Sequence, residues 1–206
     1  MINLKLTAQF IRSDTTPERG LNEHQTYKVV IIYPLAIIII VTIINYFLLK
    51  QQAVRISLPP AYALNIASFT GFLLIINHSI IMTVTEIVRT RYRIHATAEE
   101  YQARGDYRDQ VSQEGWLALE RCHGTHRNCT ENTVYFASLS TLFLFTNPGL
   151  VASCLWLGSF GLARLGHAIG YLSGRDGIRG LFMTLSLLSV YGLSVYLLMG
   201  LLLYLD

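Results

Sequence analysis

Apolar residues gather along this chain into stretches long enough to cross a bilayer as helices, each closed by polar or turn-forming residues. The first stretch, 29–49, contains the run Ile37-Ile38-Ile39-Ile40-Val41 and is bracketed by Lys28 and Lys50. Tyr27, Tyr33 and Tyr46 lie near its ends, where interfacial residues belong. Pro34 falls in its first turn or two, where a missing N–H does little harm. A polar link ending in Pro59-Pro60 leads to a second stretch, 61–88, which carries Asn77, His78 and Glu86 and runs into Arg89-Thr90-Arg91-Tyr92-Arg93. The segment 94–115 is hydrophilic, and Ala96-Thr97-Ala98-Glu99-Glu100 within it predicts the cap of a short surface helix. A third stretch spans 116–145 and ends at the turn Thr146-Asn147-Pro148-Gly149. A fourth covers 150–171, a glycine-containing link follows at 172–177, and a fifth covers 178–205.

A transmembrane helix needs about 20 mostly apolar residues, so the pattern predicts an all-α integral membrane bundle with five spans. Composition agrees: 52% of the 206 residues are hydrophobic and 14% are charged, against roughly a quarter charged in soluble domains. The net charge of +3 is too small to point to nucleic acid. Cys122, Cys129 and Cys154 lack a CxxC spacing, so they read as small buried hydrophobes rather than a disulfide framework or zinc site. The polar start of the chain is not a signal peptide, having no apolar core after a basic start. Basic residues set orientation. With five spans, Lys5, Arg12, Arg19 and Lys28, the loop arginines Arg89, Arg91, Arg93, Arg104 and Arg108, and Arg175 and Arg179 share one side. Only Lys50 and Arg55 share the other. The first side is expected to be cytoplasmic, in a bacterial inner membrane or the endoplasmic reticulum, with the C-terminus across the membrane.

Ionisable groups inside a span are costly and usually face a bundle interior or a wet cavity. Here they cluster. Glu120, Arg121, His123, His126, Arg127, Asn128 and Glu131 crowd the first half of the third span. At about 100° per residue, Asn128, Tyr135 and Glu131 lie about 20°, 40° and 80° from Arg121, on one face. Arg127 can pair with Glu131 at i, i+4. On the fourth span Arg164, His167 and Tyr171 share a face, and Arg179 opens the fifth near the free N–H groups of a helix start. All lie toward the cytoplasmic ends, which implies a cation-rich pocket open sideways to lipid, suited to an anionic, water-soluble ligand meeting an apolar one. Asn77 and His78 read as interhelical hydrogen-bond partners, and Gly158, Gly161, Gly166 and Gly170 as close-packing positions. His123 and His126 have no third ligand at suitable spacing, so no metal is expected.

The segment Glu120-Arg121-Cys122-His123-Gly124-Thr125-His126-Arg127-Asn128-Cys129-Thr130-Glu131 resembles the second-helix motif of the MAPEG family, membrane-associated proteins in eicosanoid and glutathione metabolism. Arg164-Leu165-Gly166-His167-Ala168-Ile169-Gly170-Tyr171-Leu172 followed by Ile178-Arg179 resembles the family's third-helix end and fourth-helix start. The resemblance implies a four-helix domain over 61–205 with a cytoplasmic loop at 89–115, leaving 1–28 as a cytoplasmic tail and 29–49 as an extra transmembrane helix. It implies a homotrimer holding glutathione, as cosubstrate, between subunits near the cytosolic face. Arg89, Arg127, Asn128, Glu131, His167 and Tyr171 match glutathione-binding positions, and Arg179 matches the arginine that activates the thiol. Arg121, Arg164 and Tyr135 stand as supporting residues. The sequence departs from the family pattern at Gly124, Gly180 and Met183. The expected function is a glutathione-dependent transferase or peroxidase acting on a lipophilic electrophile or lipid hydroperoxide. A non-catalytic lipid-binding or scaffold protein of the same fold is the alternative, and a small transporter subunit is disfavoured because the polar groups stay in one leaflet.

Overall fold

The computed structural model describes residues 23–205, and all regular structure among them is helical. Lys5, Arg12 and Arg19, and most of the proposed tail, lie outside the described residues. Helix α1 (Glu23–Ile43) continues into a π-helical turn, Ile44–Leu48. It is followed by α2 (Ala61–Tyr92), the short α3 (Ala98–Arg104) and α4 (Gln113–Leu144). Helix α5 runs over 150–172 with a π-helical turn at Cys154–Gly158, and α6 (Asp176–Leu205) ends the chain. By length and composition Ile31–Leu48, Ala61–Tyr92 and Asp176–Leu205 can each cross a membrane. Helix α4 misses that apolarity because of the charges in its first half. The π turn divides α5 into shorter α-helical pieces, the longer being Ser159–Leu172.

Helices α1, α2, α4, α5 and α6 alternate in direction, so every link falls at one of two ends. At one end the backbone N–H of Val54 donates to Gly200 O (2.9 Å) and that of Ser57 to Phe145 O (2.9 Å). These bonds gather the first link, the α4–α5 turn and the end of α6. At the other end Tyr92 donates to Glu114 (2.8 Å), tying the end of α2 to the start of α4. Here too lie α3 and the α5–α6 turn. The surface helix forms where its cap predicts: Thr97 Oγ1 accepts from the Glu100 N–H (3.3 Å) and Glu100 reaches back to the Ala96 N–H (3.0 Å). At the start of α4 the Ser112 hydroxyl accepts from the Gly115 N–H (3.2 Å).

Burial is inverted relative to a soluble domain. Ile31 is 67% exposed, and Phe69, Phe72 and Ile75 also face outward. Asn45, Asn77, Thr70, Ser153, Ser186, Ser189 and Arg164 are buried. Aromatic contacts fill the middle of the bundle. Phe136 of α4 stacks on Phe160 of α5 at 3.9 Å between centroids, and Phe143 meets Tyr196 of α6 edge-on. The small residues read as packing positions serve that purpose. A Cβ on Gly161 would come within 3.1 Å of Leu73, and one on Gly166 would overlap the Phe182 ring at 2.5 Å.

Helix α1 is fixed by polar bonds made in the two π turns. Asn45 Nδ2 donates to Gly192 O of α6 (3.1 Å), and Trp156 Nε1 of α5 donates to Asn45 Oδ1 (3.0 Å). A π turn widens the helix by one residue and redirects side chains locally, and here the two widened turns meet. Gly192 makes room for the indole, since a Cβ there would lie 2.4 Å from its ring. Tyr33 adds a bond to Thr184 (2.9 Å). Pro34 does not lie in the first turns as the apolar pattern suggested. Helix α1 is described from Glu23 onward, so the proline is well inside the helix, where it removes one i→i−4 bond. These contacts generate a prediction. Asn45→Ala strands the Trp156 N–H in a dry interior and should cost about 1–2 kcal/mol, and Gly192→Val should cost more because it displaces the ring. Thermal unfolding in mild detergent measures both, and an unchanged midpoint for Asn45→Ala would show that α1 is held by apolar packing alone.

Candidate functional site

The polar groups of α4, α5 and α6 meet at the end of the bundle that carries α3. The meeting depends on how closely α5 and α6 pass. A Cβ on Gly170 would lie 2.7 Å from the backbone nitrogen of Arg179, so only glycine permits this crossing. The turn between the helices is closed by Arg175 N–H donating to Gly170 O (2.9 Å) and by Gly174 in the left-handed region, with φ of 67°. A side chain at Gly174 would press on the Arg121 guanidinium, 3.3 Å away. Arg121 is thereby placed against the turn.

Arg164 is fully buried. Its Nη2 donates to Asn128 Oδ1 of α4 at 2.9 Å, while Nε and Nη1 have no partner among the described residues. None of the ion pairs among those residues includes it. One turn on, His167 is also buried with Nδ1 unpartnered. Its ring meets Tyr171 edge-on at 5.7 Å. The Arg179 guanidinium lies over the Tyr171 ring at 5.0 Å, and it pairs with Asp176 at 3.1 Å. The Tyr171 hydroxyl occupies the space beside Gly124, 2.7 Å from where a Cβ would be. The structure therefore brings together Asn128, Arg164, His167, Tyr171 and Arg179, with Arg121 beside them.

Four expected site residues lie elsewhere. Arg127, Glu131 and Tyr135 follow one another at i, i+4, i+8 on α4 and are exposed on the outside of the protomer. Asn128 turns inward. The face drawn through Arg121, Asn128, Glu131 and Tyr135 is thus divided between interior and exterior, because it straddles the line where α5 packs on α4. Arg127 and Glu131 do not form an ion pair. Arg89 pairs with Glu86 (3.3 Å) and lines a separate cleft of about 640 Å³ with His95, Tyr101, Arg108, Trp116 and His123. Arg179 itself is not at a free helix start. Helix α6 opens at Asp176, and the Arg179 N–H already donates to Arg175 O (2.9 Å). The unbonded N–H groups belong to the preceding turn, where Asp176 supplies the negative charge such a terminus favours.

Two residues read as structural lie at this site. Asn77 of α2 makes an interhelical bond, as expected, but its Nδ2 donates to Cys129 Sγ at 3.0 Å. Cys129 also lies beside Arg164, so it is not a plain hydrophobe. Its place next to Asn128 was the available signal. His78 faces His126 with ring centroids 5.6 Å apart.

A family model described as the MAPEG family matches residues 67–199. The chain belongs to the MAPEG family. The match begins within α2, so α1 lies outside it. No curated protein and no solved structure matches the chain. Membership makes this an integral membrane protein of a family in glutathione and eicosanoid metabolism, and the helical bundle agrees with that.

The unpartnered Arg164 yields a prediction about this MAPEG bundle. A buried charge without a counter-ion costs stability, and replacing buried ionic groups by apolar ones of similar size is often neutral or stabilising. Arg164→Met should therefore leave stability unchanged or raise it by about 1–2 kcal/mol, as read by thermal unfolding in detergent. A large fall would show that the guanidinium is a structural strut.

Proposed function

We propose that this MAPEG protein is a glutathione-dependent transferase or peroxidase that works at the cytoplasmic leaflet. The observation that carries the reading is the buried, unpartnered Arg164, held by Asn128 within the same cluster as His167 and the Arg179–Tyr171 stack. Intramembrane ionisable groups of this kind mark ligand sites.

Glutathione presents two carboxylates, an amine and a thiol. Arg127 and Arg89 take the carboxylates, for which a planar guanidinium fork is suited. Glu131 takes the amine. Asn128, His167 and Tyr171 line the pocket, with Arg121, Arg164 and Tyr135 in support. Arg179 faces the sulfur. Its pairing with the exposed Asp176 is weak in water, so an arriving anion can draw the guanidinium away. The thiolate is the reactive form, and a cation beside it favours it. The sulfur then bonds to an electrophilic carbon, or takes the terminal oxygen of a lipid hydroperoxide with an alkoxide leaving. The apolar co-substrate arrives from the bilayer.

Arg127, Glu131 and Tyr135 face outward and Arg89 lies in a separate cleft, so they and the Arg164 cluster serve one tripeptide only where another subunit brings them together. A closed homotrimer does this around a single axis. It also removes a cation and a carboxylate from lipid. Crosslinking in mild detergent should yield a trimer, and a chain that remains monomeric would leave Arg127 and Glu131 without a role.

Kinetics separate the roles. Arg179→Ala should lower turnover by about 10²–10³ with glutathione affinity nearly intact, since it removes a donor to a charge that changes during reaction. Arg127→Ala should mainly weaken binding, because a carboxylate contact is the same in ground and transition states. Purified protein assayed for conjugation and peroxidase activity, with thiolate absorbance followed on each variant, measures both. Full turnover in Arg179→Ala would overturn its assignment, and absence of glutathione binding would favour a non-catalytic lipid-binding protein.

A further inference from the structure

The three cysteines occupy three different surroundings. Cys122 is buried, Cys154 is exposed, and Cys129 is half-buried. Exposure alone would make Cys154 the reactive one. Yet Cys129 is where polar groups converge. Asn77, fully buried on α2, donates from Nδ2 to the Cys129 sulfur at 3.0 Å and keeps Oδ1 without a partner. Arg164, fully buried on α5, lies beside the same sulfur with Nε and Nη1 unpartnered. Two buried side chains from two other helices thus bring unspent hydrogen-bonding capacity to one thiol. A structural cysteine is normally wrapped in apolar atoms and inert.

The depth says what can reach it. Arg164 lies about 12 Å along α5 from Leu172, at 1.5 Å per residue. Cys129 packs against a buried apolar cluster drawn from α2, α4 and α5 that includes Ile81, Leu119 and Ala168. A hydrated reagent is disfavoured there and a lipid-soluble one is not.

We propose that Cys129 is a second nucleophile, carried by the protein itself, that captures lipophilic α,β-unsaturated carbonyl compounds entering from the bilayer. Sulfur bonds to the β-carbon, and the π pair of the carbon–carbon double bond moves toward the carbonyl as an enolate. The free N–H groups of Arg164 meet the developing oxyanion, as preorganised donors do elsewhere. The thiol proton ends on the α-carbon. The product is a saturated thioether carbonyl adduct that keeps every atom of both reactants, so no oxidant or reductant takes part. The reaction does not depend on glutathione.

The test uses the full chain in detergent, without glutathione, treated with trans-nonenal. Borohydride reduction and peptide mass spectrometry then locate the adducts. Cys129 should be modified at least about ten-fold faster than the more exposed Cys154. Arg164→Lys keeps a positive charge but loses the planar fork of donors, and should lower the Cys129-to-Cys154 ratio by about ten-fold or more. Cys129→Ser should remove the fast adduct. Both sites are read in the same molecules, so the ratio is independent of protein yield. If Arg164→Lys misfolds, Cys122 becomes labelled as well. Asn77→Ala then serves in its place, with an expected fall in the ratio of about three- to ten-fold for one lost hydrogen bond. Labelling of Cys154 before Cys129 in the unmodified sequence would overturn the proposal. So would a ratio unchanged in a folded Arg164→Lys or Asn77→Ala variant.

Discussion

Hydrocarbon can neither donate nor accept a hydrogen bond, so polar atoms along the spans of this protein have to find partners within the protein or at a wet boundary. Much of the architecture follows from that constraint. Apolar side chains face outward because lipid receives them at no cost. The interior is where Asn45, Asn77, Thr70 and the buried serines settle. Thr70 spends its hydroxyl on the Leu157 carbonyl at 3.0 Å, and Ser159 and Ser189 share a bond of 2.7 Å. Such bonds are individually modest in membranes, but they specify which helix lies against which. Asn45 is the clearest case, since it joins α1 to both α5 and α6.

Against that background the end near α3 is the exception. Arg164 makes one bond where a guanidinium has five N–H donors to satisfy. His167 and Asn77 also keep unpaired atoms. A bundle selected only for stability would fill these positions with leucine. Among the described residues most of these unpaired atoms, Asn77 Oδ1, Arg164 Nε and Nη1 and His167 Nδ1, lie on α2 and α5, and the cost is sustained by packing of ordinary quality around them. Phe136 on Phe160 and the glycine contacts at 166 and 170 hold α4, α5 and α6 rigidly enough to keep the unpaired groups in place. Proteins store such unsatisfied polarity at sites that bind or react.

The exposed strip of Arg127, Glu131 and Tyr135 belongs to the same logic but has a different remedy. A charge that faces lipid from the middle of a span can be relieved only by another surface. The inner cluster waits for a ligand and the outer strip for a neighbouring subunit, so on the proposed reading assembly and binding complete one pocket.

The sequence by itself determined the helical class, the near-positions of the spans, the capped surface helix and the crowding of ionisable groups at one end. Each rests on local physics, namely the length of an apolar run, a side-chain oxygen three residues before a backbone N–H, or the cost of charge in hydrocarbon. The order of motifs from Glu120 to Arg179 was also enough to suggest the family. Tertiary structure decided what depends on where neighbouring helices pass. A helical wheel places Asn128 and Tyr135 about 20° apart, yet α5 covers one and leaves the other bare. It cannot show that Arg164 faces inward without a carboxylate, that Asn45 and Trp156 meet across two π turns, or that Cys129 receives a bond from α2. Those facts follow from contacts between residues far apart in the chain, and no local periodicity encodes them.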